Sequence, residues 1–143
     1  MSAPQRIRAE QSGRWAEAMA ALALQLKGYV ILGRRVQTGL GEIDLIARRG
    51  KVLAFIEVKM RQQASNPATL LRPTQMARII KSATGWTASR PWTQHFTWRY
   101  DLIVVRQWRW PVHIRDAWRP QFDPMLSSGT SDGNVVAFRR RRR

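Results

Sequence analysis

From Glu42 to Lys59 the chain runs through two apolar stretches, Ile43 to Arg48 and Val52 to Val58, with Arg49-Gly50 between them. That pattern leaves little choice of local fold. It predicts a β-hairpin closed by a two-residue turn in which Gly50 supplies the positive φ. Counting outward from Arg49-Gly50 sets Arg48 opposite Lys51, Ile46 opposite Leu53, Asp44 opposite Phe55 and Glu42 opposite Glu57. Side chains alternate between the faces of a strand. Ile43, Leu45, Ala47, Val52, Ala54, Ile56 and Val58 then make one apolar face, the expected core. Glu42, Asp44, Phe55, Glu57 and Lys59 share the other. Asp44 and Glu57 become diagonal neighbours with backbones roughly 7–8 Å apart. A three-residue turn would shift the register by one and destroy the apolar face.

The carboxylates on that hairpin are out of place in a chain of this charge. There are 25 Lys and Arg against nine Asp and Glu, a formal net charge of +16, and 21 of the 25 are Arg. Arginine binds phosphate bidentately through a planar fork and stacks on bases, so the composition points to nucleic acid. A carboxylate cluster in such a protein repels phosphate unless a cation sits between them. Metal-dependent cutting of a nucleic-acid backbone requires that combination. Mg²⁺, or Mn²⁺ in its place, prefers oxygen ligands in an octahedron and keeps several waters. Asp44, Glu57 and the backbone carbonyl of Val58 offer such a set. Lys59 lies on the same face, suited to orienting a water or neutralising charge on phosphorus. Taken alone, a Glu-x-Lys triplet is more simply read as an exposed sheet face with ordinary salt bridges. Asp44 in register on the adjoining strand is what lifts it above that reading.

Gly41-Glu42-Ile43-Asp44-Leu45-Ile46-Ala47, followed by Phe55-Ile56-Glu57-Val58-Lys59-Met60-Arg61, resembles the YraN-type family of bacterial proteins. That family is similar in turn to the PD-(D/E)xK nucleases, archaeal Holliday-junction resolvases in particular. Gly28-Tyr29-Val30-Ile31-Leu32 and Arg99-Tyr100-Asp101 resemble two further family segments, and the likeness runs from about Gly13 to Trp118. It implies a restriction-endonuclease-like α/β core, a mixed sheet flanked by helices. It implies an endonuclease acting on DNA, branched DNA included, with Asp44, Glu57 and Lys59 as the metal and catalytic positions. Resolvase-like members act as dimers, so a homodimer is also implied. Glu17 falls where such members carry a glutamate on the first helix. The family has a Lys at the start of the second core helix, where this chain has Thr74 beside Gln75. Arg72 or Arg78 would have to take over its phosphate contact.

Residues 1–12 read as a polar, loosely ordered arm, and residues 13–120 as the folded domain. Ser12 is a candidate cap for a helix from Gly13 to Lys27, with Gly28 as the stop. Trp15, Met19, Leu22 and Leu26 form an apolar stripe, and Ala20, Ala21 and Leu24 lie opposite with Glu17 among them. A helix apolar nearly all round should be packed on most sides. Glu17 then wants a partner, either a metal with its waters or a nearby arginine. Tyr29 to Val36 reads as a strand, and Arg61 to Arg72 as a loop leaving the Lys59 end of the site. A helix follows from Pro73 to about Ala88, then strands over Thr97 to Val105 and Val112 to Arg115. Trp86 and Trp118 read as packing residues. Trp108 and Trp110 flank Arg109 in a turn and are the better candidates for contacting a ligand or a partner subunit.

Residues 121–143 read as a flexible linker, Ser127 to Asn134, leading to the arginine run Arg139 to Arg143. The candidate nucleic-acid contacts are Arg61, Arg72, Gln75, Arg78, Arg139, Arg140 and Arg141. The chain has no cysteine, and His95 and His113 lack ligand spacing, which argues against zinc and fits a reducing cytoplasm. Ala18 to Leu26 is too short to span a bilayer and is followed by no signal-peptide cleavage site. Two functions fit these observations: a Mg²⁺-dependent endonuclease, and a nucleic-acid-binding module that keeps the nuclease fold without cutting.

Overall fold

A computed structural model describes residues 2–120 and the backbone of residues 121–122 and 134–138. The central hairpin joins β2 (Gly41–Arg49) to β3 (Val52–Met60). Its pairs run Arg49 to Val52, Arg48 to Leu53, Ile46 to Phe55 and Leu45 to Ile56. The turn is therefore Gly50-Lys51, not Arg49-Gly50. Gly50 has φ +55° at the first central position, where a type II′ turn asks for glycine. The register differs from the sequence expectation by two residues. A shift of two changes every partner but not the face a side chain is on, and Leu45, Ala47, Ala54 and Ile56 share one face as expected, whereas Ile43 lies on the opposite one. Continuing the pairing places Asp44 level with Glu57 rather than with Phe55.

Before the hairpin come α1 (Ala3–Leu26) and β1 (Val30–Thr38); after it come α2 (Pro73–Ala88), β4 (Thr97–Val105), β5 (Val112–Phe122) and β6 (Asn134–Phe138). Short 3-10 turns at Pro67–Thr69 and Pro91–His95 flank α2. The strands form one sheet in the order β1-β2-β3-β4-β5-β6. Only β3 and β4 run parallel, and α2 is the crossover such a pair needs. The helices cover opposite faces. Ile46, Leu53 and Phe55 pack with Met76, Ile79 and Ile80 of α2, while Leu45, Ala54 and Ile56 pack with Ala16, Ala20, Ala21 and Leu24 of α1. The expected α/β architecture, a mixed sheet flanked by helices as in a restriction-endonuclease-like core, is what the chain forms.

Both faces of β3 are buried over Leu53–Ile56, as in the middle of a covered sheet.

Three elements differ from the sequence reading. Helix α1 begins at Ala3, not at Gly13, so most of the supposed arm is helical. The residues it adds are mostly polar and exposed, which gives no apolar periodicity to read. The buried face of α1 is its alanine side, and Trp15, Leu22 and Leu26 stay exposed. Small side chains let the helix lie close on the sheet, which leaves the larger apolar stripe outside. Strand β5 extends to Phe122, and Asn134–Phe138 pairs with it as an antiparallel edge strand where a tail was expected. Residues 127–133 and Arg139 to Arg143 lie outside the described residues.

A buried ionic network joins β4, β5 and the segment after α1. Asp101, fully buried, accepts hydrogen bonds from Arg99 Nε and Nη2 (both 2.8 Å), His113 Nε2 (2.7 Å) and the Asp116 amide (2.9 Å). Arg99 Nη2 also reaches the Tyr29 hydroxyl at 2.6 Å. Burial alone would raise the Asp101 pKa. The His113 and Arg99 hydrogen bonds and the Arg99 charge outweigh it and hold the carboxyl below its ordinary value.

No helix among the described residues is long and apolar enough to cross a membrane.

Candidate metal centre

The site lies where β2 parts from β3. Pairing between them ends at Leu45 and Ile56. On β2, Leu45 and Ala47 pack toward α1, yet Ile43 packs toward α2. On β1, Ile31 packs toward α1 and Val36 toward α2. Arg34 pairs with Leu45 and Val36 with Ile43. The alternation therefore slips on both strands at one level, at Arg35 and Asp44. Arg35 absorbs the slip with φ +47°, a left-handed conformation that costs a non-glycine residue about 1–2 kcal/mol. The slip turns Arg35 and Asp44 together toward α1.

There they meet Glu17. Arg35 Nε donates to Glu17 Oε2 at 2.6 Å. Carboxylate oxygens of Glu17, Glu42 and Asp44 lie within 4.8 Å of one another. Asp44 Oδ2 accepts the Val58 amide at 2.8 Å, capping a donor that the ended ladder leaves behind. Gln37 Nε2 donates to Glu42 Oε2 at 2.7 Å. Lys59 Nζ is 3.3 Å from Glu57 Oε1.

The electrostatics mark Asp44 as the centre. Burial, then the Glu57 charge, push its carboxyl up to about 8, against some help from the Val58 amide. Burial also raises Glu57, with Lys59 opposing. Two carboxyls that share a poorly solvated site resist carrying both charges.

Asp44, Glu57 and Lys59 thus come together as the sequence suggested, and Glu17 joins them from α1. Its partner is Arg35, and it also stands within reach of a shared cation. Glu42 was placed on this face by the hairpin pattern but not counted as a ligand. It is the member that reading missed. Its signal was the slip, which no alternation pattern reveals. Glu57 belongs through Asp44 and is not one of the three mutually close carboxylates. Val58 contributes its amide to Asp44.

The donor set suits a hard divalent cation. It is all oxygen, and two oxygens on opposite sides of an ion bound at about 2.1 Å stand about 4.2 Å apart. Adjacent oxygens of such an octahedron stand about 3.0 Å apart, and both separations fall inside the 4.8 Å within which the oxygens of Glu17, Glu42 and Asp44 lie.

The candidate phosphate contacts are more dispersed. Arg61 follows the site directly, its amide bonded to the Val105 carbonyl at 3.0 Å. Arg78 is exposed and packs beside Gly41. Gln75 is occupied as the cap of α2, accepting the Arg72 amide at 3.1 Å. Thr74 is exposed in the first turn of that helix.

Comparison with known proteins places this architecture in a family. The profile of Uncharacterised protein family UPF0102 matches residues 16–105, which include Glu17, Asp44, Glu57 and Lys59. A UPF0102 protein of Maricaulis maris is 47% identical over 115 residues, covering 80% of this chain and 91% of its own length. One from Paramagnetospirillum magneticum is 44% identical, covering 78% and 89%, and one from Caulobacter vibrioides 47%, covering 77% and 88%. The chain belongs to the UPF0102 family.

Proposed function

We propose that this member of the UPF0102 family is a divalent-metal-dependent endonuclease that hydrolyses phosphodiester bonds in DNA. The observation that carries this reading is a charge imbalance. Glu17, Glu42, Asp44 and Glu57 gather four carboxylates, and among the described residues Arg35 and Lys59 are their ion-pair partners. Two negative charges remain, in a protein of charge +16. A divalent cation balances them; otherwise the carboxyls must take up protons.

Asp44, with Glu17 and Glu42, would hold Mg²⁺ or Mn²⁺, and Glu57 would complete the set from β3. A bound ion of this kind supplies positive charge at the scissile phosphate and a more acidic water. The chain supplies the rest. The Val58 amide fixes one oxygen of Asp44, and the ring of carboxylates holds its geometry without reorganising. Lys59, beside Glu57, orients the attacking water and neutralises charge that builds on the phosphate oxygens. Arg61 and the surrounding arginines draw the backbone in.

A second reading is a nucleic-acid-binding module on the same fold. Arg35 favours it, since an internal cation already neutralises Glu17. One experiment separates the two: cleavage of labelled single-stranded, duplex and four-way-junction DNA with Mg²⁺, Mn²⁺ or EDTA. Cutting that needs the metal, and that Asp44→Ala or Glu57→Ala abolishes while binding persists, is the expected result. Binding of the same DNAs without cutting under either metal would establish the binding module instead.

A further inference from the structure

Beside the candidate centre, on the α1 side, lies a cleft of about 530 Å³ lined by Arg8, Gln11, Ser12 and Trp15 of α1 and by Met60, Gln62 and Gln107. The four α1 residues recur at the spacing of one helical face. Three of them precede Gly13, so this wall exists because the helix starts at Ala3. Met60 and Gln62 bracket Arg61, two residues past Lys59. Gln107 belongs to the turn between β4 and β5. The Arg61 amide bonds to the Val105 carbonyl at 3.0 Å, which ties that turn to the Lys59 end of β3. The lining offers cationic and amide groups and no carboxylate.

Two large aromatic rings stand unused at this place. Trp15 lines the cleft and is 40% exposed. Trp108, next to Gln107 at the tip of the turn, is 92% exposed and held out by φ +60°. A tryptophan in a left-handed conformation with its ring in water is doubly unfavourable and packs nothing in the fold. Arg109 follows it. At the base of the turn, Arg106 Nε is shielded from solvent with no acceptor among the described residues. Flat aromatic faces beside cations and amides, in a cleft whose lining residue Met60 follows Lys59 directly, suit bases whose faces are open. Paired bases inside a duplex do not offer those faces.

We propose that this cleft takes a single-stranded segment of nucleic acid, Trp15 and Trp108 stacking on unpaired bases and Arg8 and Arg109 meeting phosphates. The inference deepens the nuclease reading and rests on it for what happens next door: substrates would be DNA with an unpaired segment, such as a flap or an opened junction.

The test is binding by the full chain in EDTA, followed by anisotropy of a labelled oligothymidylate and a blunt duplex. Trp108→Ala and Trp15→Ala should each lower single-strand affinity about five- to 150-fold, the range for loss of one base stack. Both should leave the duplex affinity within about twofold, and Trp108→Phe should restore most of the loss. Equal loss on both DNAs, or no loss on either, would overturn the proposal. So would a dimer in sedimentation velocity that Trp108→Ala dissolves, which would make the tip a surface for a second copy. EDTA prevents cutting, so failure here leaves the nuclease reading standing. A chain that binds as described but cuts nothing fails that reading alone.

Discussion

Asp44 is a carboxyl that the fold prefers to keep protonated when no cation is present. Its pKa rises from 3.8 to about 8, through burial first and the Glu57 charge second. Because the folded value exceeds the unfolded one, this group stabilises the fold fully below about pH 4. That contribution is lost as pH rises through 8. In EDTA, the melting temperature should therefore fall from pH 5 to pH 9 more steeply in the wild type than in Asp44→Asn. Asparagine keeps an acceptor for the Val58 amide and removes the charge. Mg²⁺ or Mn²⁺ should raise the wild-type melting temperature more at pH 8 than at pH 6, and leave Asp44→Asn unmoved. Parallel pH profiles for the two proteins would show that Asp44 is not the strained charge. Arg35 permits a second test at this scale. Arg35→Ala and Arg35→Gly lose the same bond to Glu17, but only glycine relieves φ +47°. Glycine should be the more stable of the two by about 1 kcal/mol in urea denaturation. The reverse order would mean that the strand does not hold that conformation in solution.

Among the elements, the segment joining α1 to β1 is locked to β4 and β5 through Asp101, a group that takes no part in the candidate site. Removing one partner of a buried charged set strands the rest. Asp101→Ala should therefore cost about 3–5 kcal/mol in denaturant unfolding. A loss under 1 kcal/mol would show that water replaces the carboxylate. Nothing in the sequence pointed to this network. Asp101 and His113 are twelve residues apart, and the turn between them brings them together. Helix α2 was legible from Pro73 to Ala88 because a proline opens it and Met76, Ile79, Ile80 and Ala83 repeat on one face. Strand β4 was legible in its bounds, Thr97 to Val105, read as an alternating strand, but the sheet buries both of its faces from Tyr100 onward. The N-terminal turns of α1 were not, since their polar residues carry helix propensity but no periodicity. The hairpin was half legible. Its faces followed from alternation as far as Leu45 but not at Ile43, which lies on the other face; the turn has two adjacent candidates for its first residue, and only the full sheet decides between them. The choice of Gly50-Lys51 is what sets Asp44 level with Glu57. The slip at Arg35 and Asp44, which brings in Glu17 and Glu42, needs two strands and a helix at once and leaves no local signature.

The whole molecule sets a small acidic centre inside a strongly basic body, and the two act at different ranges. Surface arginines attract a polyanion from a distance and are screened by salt. On the proposed reading, the carboxylates would act only at contact, through the cation they would hold. Salt should consequently govern binding more than the chemistry that follows it. The five arginines Arg139 to Arg143 contribute +5 of the +16, so the share of the proposed phosphate contact that they would make is separable from that of the rest of the chain. Replacing all five with glutamine keeps the chain length and removes only charge. Duplex affinity of both proteins, measured in EDTA from low to moderate NaCl, gives the slope of log K against log salt. Each phosphate neutralised contributes about 0.9 to that slope. The wild-type slope should exceed that of the glutamine variant by between about 1 and 4.5, according to how many of the five arginines touch phosphate. Both proteins should remain clearly salt-dependent, because arginines such as Arg61 and Arg78 remain. Identical slopes would place all phosphate contact elsewhere in the chain. A variant with no salt dependence would mean that the run alone attracts the backbone. The dispersed arginines would then be surface charge without a role in binding, and the domain's only tie to nucleic acid would be the carboxylate centre itself.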